Sequence, residues 1–345
     1  MFQTLAVPEK KSEFSVDRSA GKRSQNAPLP VLTDTDIVAA RGPRNDVDPW
    51  RPYHVLVEPE YSAAGNVEDV ATVFLSNREC PFRCLMCDLW KNTTECQVPQ
   101  GAIPEQIRYA LNALSPTRHI KLYNSGNFFD AQAIPTEDIP QIATLMRGFE
   151  TVIVENHPAL CTDRCPQFQE LCGNQLEIAM GLETSHEATL KRLNKRMTTG
   201  DFAAACEFLL NNGIRVRSFI LLRPPGTTES EGIRQAIESV RFAFDCGVDC
   251  CAVIPTRAGN GILDKLQNTG DFTPPNLTSL EYVLDETLSL KRGRVFADLW
   301  DAQQFATCKT CADERIHRLQ RMNLTQSVLP PIACDDCSSG ADNEH

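Results

Sequence analysis

Residues 71–87 read ATVFLSNRECPFRCLMC, and their reading decides the fold. The first six, ATVFLS, form a short apolar run, which reads as a buried strand. Directly after it come Cys80, Cys84 and Cys87 in the spacing C-x3-C-x2-C. Three thiolates from one tight loop are too few for a structural zinc site, which takes four ligands. A cubane iron–sulfur cluster has four irons, so three cysteines would hold it and leave one iron open to another ligand.

Outward from this loop, apolar runs alternate with helical patterns. Further strand candidates are 119–123 (HIKLY), 151–154 (TVIV), 176–180 (LEIAM), 214–222 (IRVRSFILL) and 248–254 (VDCCAVI). Helical spacing of apolar residues covers 103–114, with Pro104 in its first turn, then 139–147, 186–192, 201–211 and 229–244. Asn212-Gly213 supplies a stop for the fourth of these. Strands that alternate with helices predict right-handed crossovers and a parallel sheet. Six repeats predict an α/β fold, a partial (β/α)6 TIM-like barrel over 51–265. An irregular polar extension is expected at 1–50, and a small cysteine-rich, metal-binding extension at 266–345.

In parallel barrels chemistry collects at the carboxyl ends of the strands. The second strand runs into Asn124, Ser125, Gly126 and Asn127, a small-residue turn in which Gly126 permits close approach. The fourth ends in Gly181-Leu182-Glu183-Thr184. Its carboxylate and hydroxyl are placed to hydrogen-bond a ribose or an ammonium, or Glu183 is the first-turn acid of the next helix. The fifth enters Arg223-Pro224-Pro225-Gly226. Arg223 either points its charged fork into the barrel mouth or sits on a structural turn. The sixth ends at Pro255, where backbone groups could pair with adenine.

The Cys80/Cys84/Cys87 spacing resembles the signature of the radical S-adenosylmethionine (radical SAM) superfamily, with Met86 where that family usually has an aromatic residue. The resemblance implies a [4Fe–4S] cluster on these three cysteines, with S-adenosylmethionine chelating the open iron. It also implies an electron from flavodoxin or ferredoxin and a radical that abstracts hydrogen. Asn124, Ser125, Gly126, Asn127, Glu183, Thr184, Arg223 and Pro255 would then surround the cofactor. Residues 70–265 resemble the branch shared by the catalytic subunit of elongator and the radical SAM subunit of archaeosine synthase, the latter most. The carrying segments are 124–130, Glu155-Asn156-His157-Pro158, Gly181-Leu182-Glu183-Thr184, Asn194-Lys195 and 221–225. That family implies a tRNA base as substrate and a partner subunit. A small molecule or a peptide is the alternative substrate, and a non-catalytic zinc-binding adaptor is the alternative class.

Cys308, Cys311, Cys334 and Cys337 form two C-x2-C knuckles, a set that suits structural zinc or an auxiliary cluster. Cys161, Cys165 and Cys172 are a looser group, either ligands of an auxiliary cluster with His157 or unligated; Cys206, Cys246, Cys250 and Cys251 read as unligated. With 345 residues and 42% hydrophobic content the chain can bury a large core. Fifteen cysteines, no apolar run of membrane length and no signal-peptide pattern predict a reducing cytoplasm and no membrane span. A net charge of −11 argues against broad adhesion to nucleic acid. The basic groups Lys191, Arg192, Lys195, Arg196 and Lys291, Arg292, Arg294 read as solvated helix faces.

Overall fold

A computed structural model describes residues 31–340. The part of the irregular extension expected over residues 1–30 lies outside the described residues. The eight strands are β1 (His54–Tyr61), β2 (Val67–Phe74), β3 (His119–Tyr123), β4 (Thr151–Glu155), β5 (Gln175–Glu183), β6 (Arg215–Leu222), β7 (Cys250–Pro255) and β8 (Arg294–Ala297). They form one sheet in chain order, in which β1 pairs antiparallel with β2 and every later neighbour is parallel.

The helices are α1 (Asp34–Ala39), α2 (Ala102–Ala113), α3 (Ile139–Met146), α4 (Arg164–Cys172), α5 (Glu187–Arg192), α6 (Thr199–Asn211), α7 (Glu229–Asp245), α8 (Ile262–Thr269), α9 (Leu277–Ser289), α10 (Ala312–Thr325) and α11 (Asp335–Gly340). Reciprocal capping boxes start α6, Thr198 with Asp201, and α7, Thr228 with Glu231, as well as α1. Gly213, with φ +68°, ends α6 at the expected stop.

The six expected strands are β2 to β7. The sheet is larger by β8 and by the antiparallel β1, so six strands is an undercount. Pro59 and four charged or polar neighbours disguise β1 as irregular, yet a proline is tolerated on an edge strand. β8 is only four residues long and follows a run of cations.

Val73, Leu122, Val154, Ile178, Ile220 and Val253 pack outward under the helices in the main core. The inward face is polar at its amino-terminal end. Glu60 of β1 takes Lys121 of β3 at 2.6 Å and Arg217 of β6 at 2.5 Å, while Glu177 of β5 takes Arg217 at 2.6 Å and Arg294 of β8 at 3.4 Å. Five strand spacings separate β1 from β6, roughly 24 Å in a flat sheet. A direct ion pair across them requires the sheet to curl into an open half-barrel.

Arg294 and Lys195, expected on solvated helix faces, are buried in ion pairs. Helix α1 also falls in a stretch read as irregular. The Thr33/Asp36 capping box and Ile37, which enters a second apolar cluster with Leu85, Leu193, Leu221 and Leu263, hold it in place.

Candidate functional site

The loop that carries Cys80, Cys84 and Cys87 leaves the carboxyl end of β2 and is pinned from several elements. Asn127 donates to the Cys80 sulfur at 3.1 Å, Asn194 to the Arg83 carbonyl at 2.7 Å, and Asn260 to the Leu85 and Cys87 carbonyls at 2.8 and 3.3 Å. The Leu85 N–H donates to the Leu193 carbonyl at 2.8 Å. Glu79 gathers Arg41, Arg44 and Arg83 at the loop's start. Phe82 stacks on His157 with ring centres 3.9 Å apart, and Leu85 and Met86 join the second apolar cluster.

Burial pushes the Cys80 and Cys84 thiols up to about 11 and that of Cys87 to about 12. Thiolate is the ligating form, so these sulfurs ionise readily only when a cationic group takes them. Among the described residues, only the tail quartet gathers its thiols within 4.8 Å of one another. The looser triad suits a multi-iron cluster, which puts each thiolate on a different iron.

Asn124 to Asn127 follow β3 and lie against this loop. Glu155, at the end of β4, accepts the Asn124 N–H at 3.0 Å, together with the N–H groups of Gly126 and Ser125. Burial outweighs these bonds and pushes its carboxyl up to about 7. The left-handed residue in the turn is Ser125, with φ +52°. Gly126 matters differently: a Cβ there would sit 3.2 Å from the Cβ of Cys80. The Asn124 side chain is fully buried, and neither its Oδ1 nor its Nδ2 has a partner. An orphaned buried amide costs about 1–3 kcal/mol per group, which a polar ligand would recover. Three half-buried to buried cysteines on one loop, near an unpartnered buried amide, fit a cluster and an amino-acid-bearing cofactor.

At the end of β5, a register shift between Gly181 and Glu183 puts Glu183 at φ +65°. Its carboxylate meets Lys195 Nζ at 2.7 Å, with both residues under 10% exposed. Gly181 makes the room, because a Cβ there would lie 2.1 Å from Glu183 Oε1 and 2.5 Å from Lys195 Nζ. Burial opposes the Lys195 charge, but Glu183 and the neighbouring Cys84 hold it above the usual lysine range. Thr184 is buried and faces α7, donating to Gln235 Oε1 at 3.5 Å. Arg223, with φ +56°, directs Nη1 to Glu229 and to the Pro274 carbonyl at 2.8 Å. Pro255 is buried, opposite Leu222 of β6.

The structure therefore brings Cys80, Asn124 to Asn127 and the Glu183–Lys195 pair to one end of the half-barrel. It turns Thr184 and Arg223 toward helical partners. Sequence reading did not assign Glu155, Lys195 or Asn260 a role, and each acts through a tertiary contact that no local pattern announces.

Cys165 and Cys172 face the main core from α4, two turns or roughly 10 Å apart. His157 spends both ring nitrogens, Nε2 on the Lys195 carbonyl at 3.0 Å and Nδ1 on the Ala159 N–H at 3.2 Å. The trio is a core feature, and an auxiliary cluster on it finds no support. The four tail thiols do converge, with Cys308 and Cys334 3.9 Å apart and Cys311 and Cys337 3.6 Å apart.

No family model matches the chain. An uncharacterised protein of Methanocaldococcus jannaschii is 23% identical over 304 residues, covering 81% of this chain and 83% of that protein. The archaeosine synthase subunit beta of Thermococcus kodakarensis is 26% identical over 211 residues, 58% of this chain and 65% of that protein. Among solved structures, methylornithine synthase superposes with a TM-score of 0.51 at 14% identity, covering 74% of this chain and 71% of that one, a likeness of fold.

Proposed function

We propose that this chain is a radical SAM enzyme that cleaves S-adenosylmethionine reductively and acts on a tRNA base beside a partner subunit, as its resemblance to archaeosine synthase subunit beta supports. The observation that carries the chemistry is the Cys80/Cys84/Cys87 triad, on a loop clamped by Asn127, Asn194 and Asn260 close to the orphaned Asn124 amide. Cys80, Cys84 and Cys87 would hold a [4Fe–4S] cluster. When bound, the cluster supplies one electron, drawn from a flavodoxin or ferredoxin, for cleavage of the sulfonium and hydrogen abstraction.

The chain's own residues prepare that event. Glu155 orients the N–H groups of the 124–126 turn, and Asn124 offers an amide to the amino-acid end of the cofactor. The buried Lys195–Glu183 ion pair sets a fixed dipole near the cysteine loop. Phe74, Tyr123 and Phe219 meet edge to face across the inner wall and shield the lumen from water. Arg223 and Pro255 would border the cofactor from the ends of β6 and β7. In the tail quartet, zinc is the ion these four thiols suit.

The tRNA base and the partner subunit rest on the archaeosine synthase relatives alone. Anaerobic reconstitution with iron and sulfide tests the chemistry. Wild type should carry about four irons and cleave S-adenosylmethionine, and Cys84→Ala should lose cleavage. Cleavage retained in Cys84→Ala with an intact cluster would remove the assignment. Binding to bulk tRNA that weakens as salt rises separates a tRNA substrate from a small molecule.

A further inference from the structure

The outer edge of β8 ought to be exposed, since no ninth strand pairs with it among the described residues. An open edge is a template for wrong pairing. Here two amide side chains from the end of α10 take a strand's place. Gln326 accepts the Val295 N–H at 2.7 Å and donates to the Val295 carbonyl at 3.0 Å. Asn323 does the same at Ala297, at 2.8 and 2.9 Å. Helix α10 thus replaces the ladder that would otherwise continue the sheet.

The other end of α10 starts at the tail quartet. Cys311 immediately precedes its first residue, and Arg315, one turn in, donates to the Cys311 sulfur at 3.0 Å and to Glu281 of α9 at 2.5 Å. Arg318 adds Asp285 of α9 at 2.8 Å. Thr310 and Asp336 join the two knuckles at 2.6 Å. A single ion with metal–sulfur bonds of about 2.3 Å sets its thiolates about 3.8 Å apart. The sulfur–sulfur separations of 3.9 Å for Cys308/Cys334 and 3.6 Å for Cys311/Cys337 match that edge. A cubane puts its four thiolates on four separate irons and spreads them wider.

We infer that the Cys308/Cys311/Cys334/Cys337 site takes one tetrahedral zinc ion, and that this ion anchors α10 as a substitute strand on the β8 edge of the half-barrel. The inference rests on the tail metal of the proposed function and is independent of the cluster loop.

Zinc and iron per chain, measured with amide hydrogen exchange on the full chain, test it. One zinc is expected in wild type, in Cys80→Ala/Cys84→Ala/Cys87→Ala and in Asn323→Leu/Gln326→Leu. None is expected in Cys334→Ser/Cys337→Ser. The Val295 and Ala297 amides should exchange roughly tenfold faster in both double variants, with β4 and β5 still protected. Iron and sulfide retained by the Cys80/Cys84/Cys87 variant would overturn the zinc site. Zinc loss with Val295 and Ala297 still protected would overturn the anchor. If the cysteine double variant unfolds throughout, the zinc-loaded Asn323→Leu/Gln326→Leu protein decides: faster exchange upholds the cap, and unchanged exchange removes it. Loss of iron from the cluster loop alone bears only on the radical chemistry.

Discussion

His157 shows how one side chain serves the site without touching its chemistry. Its ring lies on Phe82 inside the cysteine loop, and burial pulls it from 6.5 down to about 4. A base held neutral in the fold contributes stability that is complete above its unfolded value and is lost as pH falls from 6.5 toward 4. Wild type should therefore lose about 2 kcal/mol between pH 8 and pH 5 from this group. Urea midpoints at the two pH values should converge in His157→Gln, and an unchanged gap would place the titration elsewhere. Residues that announce themselves by spacing, such as Cys80, Cys84 and Cys87, were legible in the sequence. Glu155 and Lys195 were not, because a carboxylate or an ammonium acquires its role from burial and from a partner 12 to 31 positions away.

Among elements, α7 depends on a residue it lacks. Gly232 lets the helix approach the loop after β6 so closely that a Cβ would stand 2.6 Å from the Arg223 Cα. That neighbour is backbone and cannot swing aside. Gly232→Ala should destabilise the fold by about 1–3 kcal/mol despite the better helix propensity of alanine, as thermal denaturation would show. A stabilised variant would mean that α7 has slack against β6. Five of the eleven helices among the described residues, α2, α3, α5, α6 and α7, and strands β2 to β7 are readable in the sequence, since period and turn chemistry are local properties. Helix α4 is hard to read in the sequence because only Cys165, Phe168 and Cys172 carry its buried face, with polar residues between. Strand β1 was lost behind Pro59.

The whole molecule is tied across its lumen by Glu60, Lys121, Arg217, Glu177 and Arg294. Burial alone would raise the Glu60 carboxyl, but Arg217 and Lys121 hold it well below the usual carboxylate range. Such a group stabilises the fold above its unfolded value of 4.5, and that contribution is lost as pH falls below it. Glu60→Gln leaves two buried cations short of charge and should cost about 3–5 kcal/mol at neutral pH, with a flatter acid limb. A denaturation midpoint within error of wild type would show that β1 is not held by these pairs.

By itself the sequence determined the parallel α/β order, the carboxyl-end position of the cysteine loop and the pairing of the two tail knuckles, because each is written in local period and spacing. Only the tertiary structure decided the ion pairs across the lumen, the Glu183–Lys195 pair and the capped β8 edge. Each of those is a contact between segments far apart in the chain, and only folding brings such groups within reach.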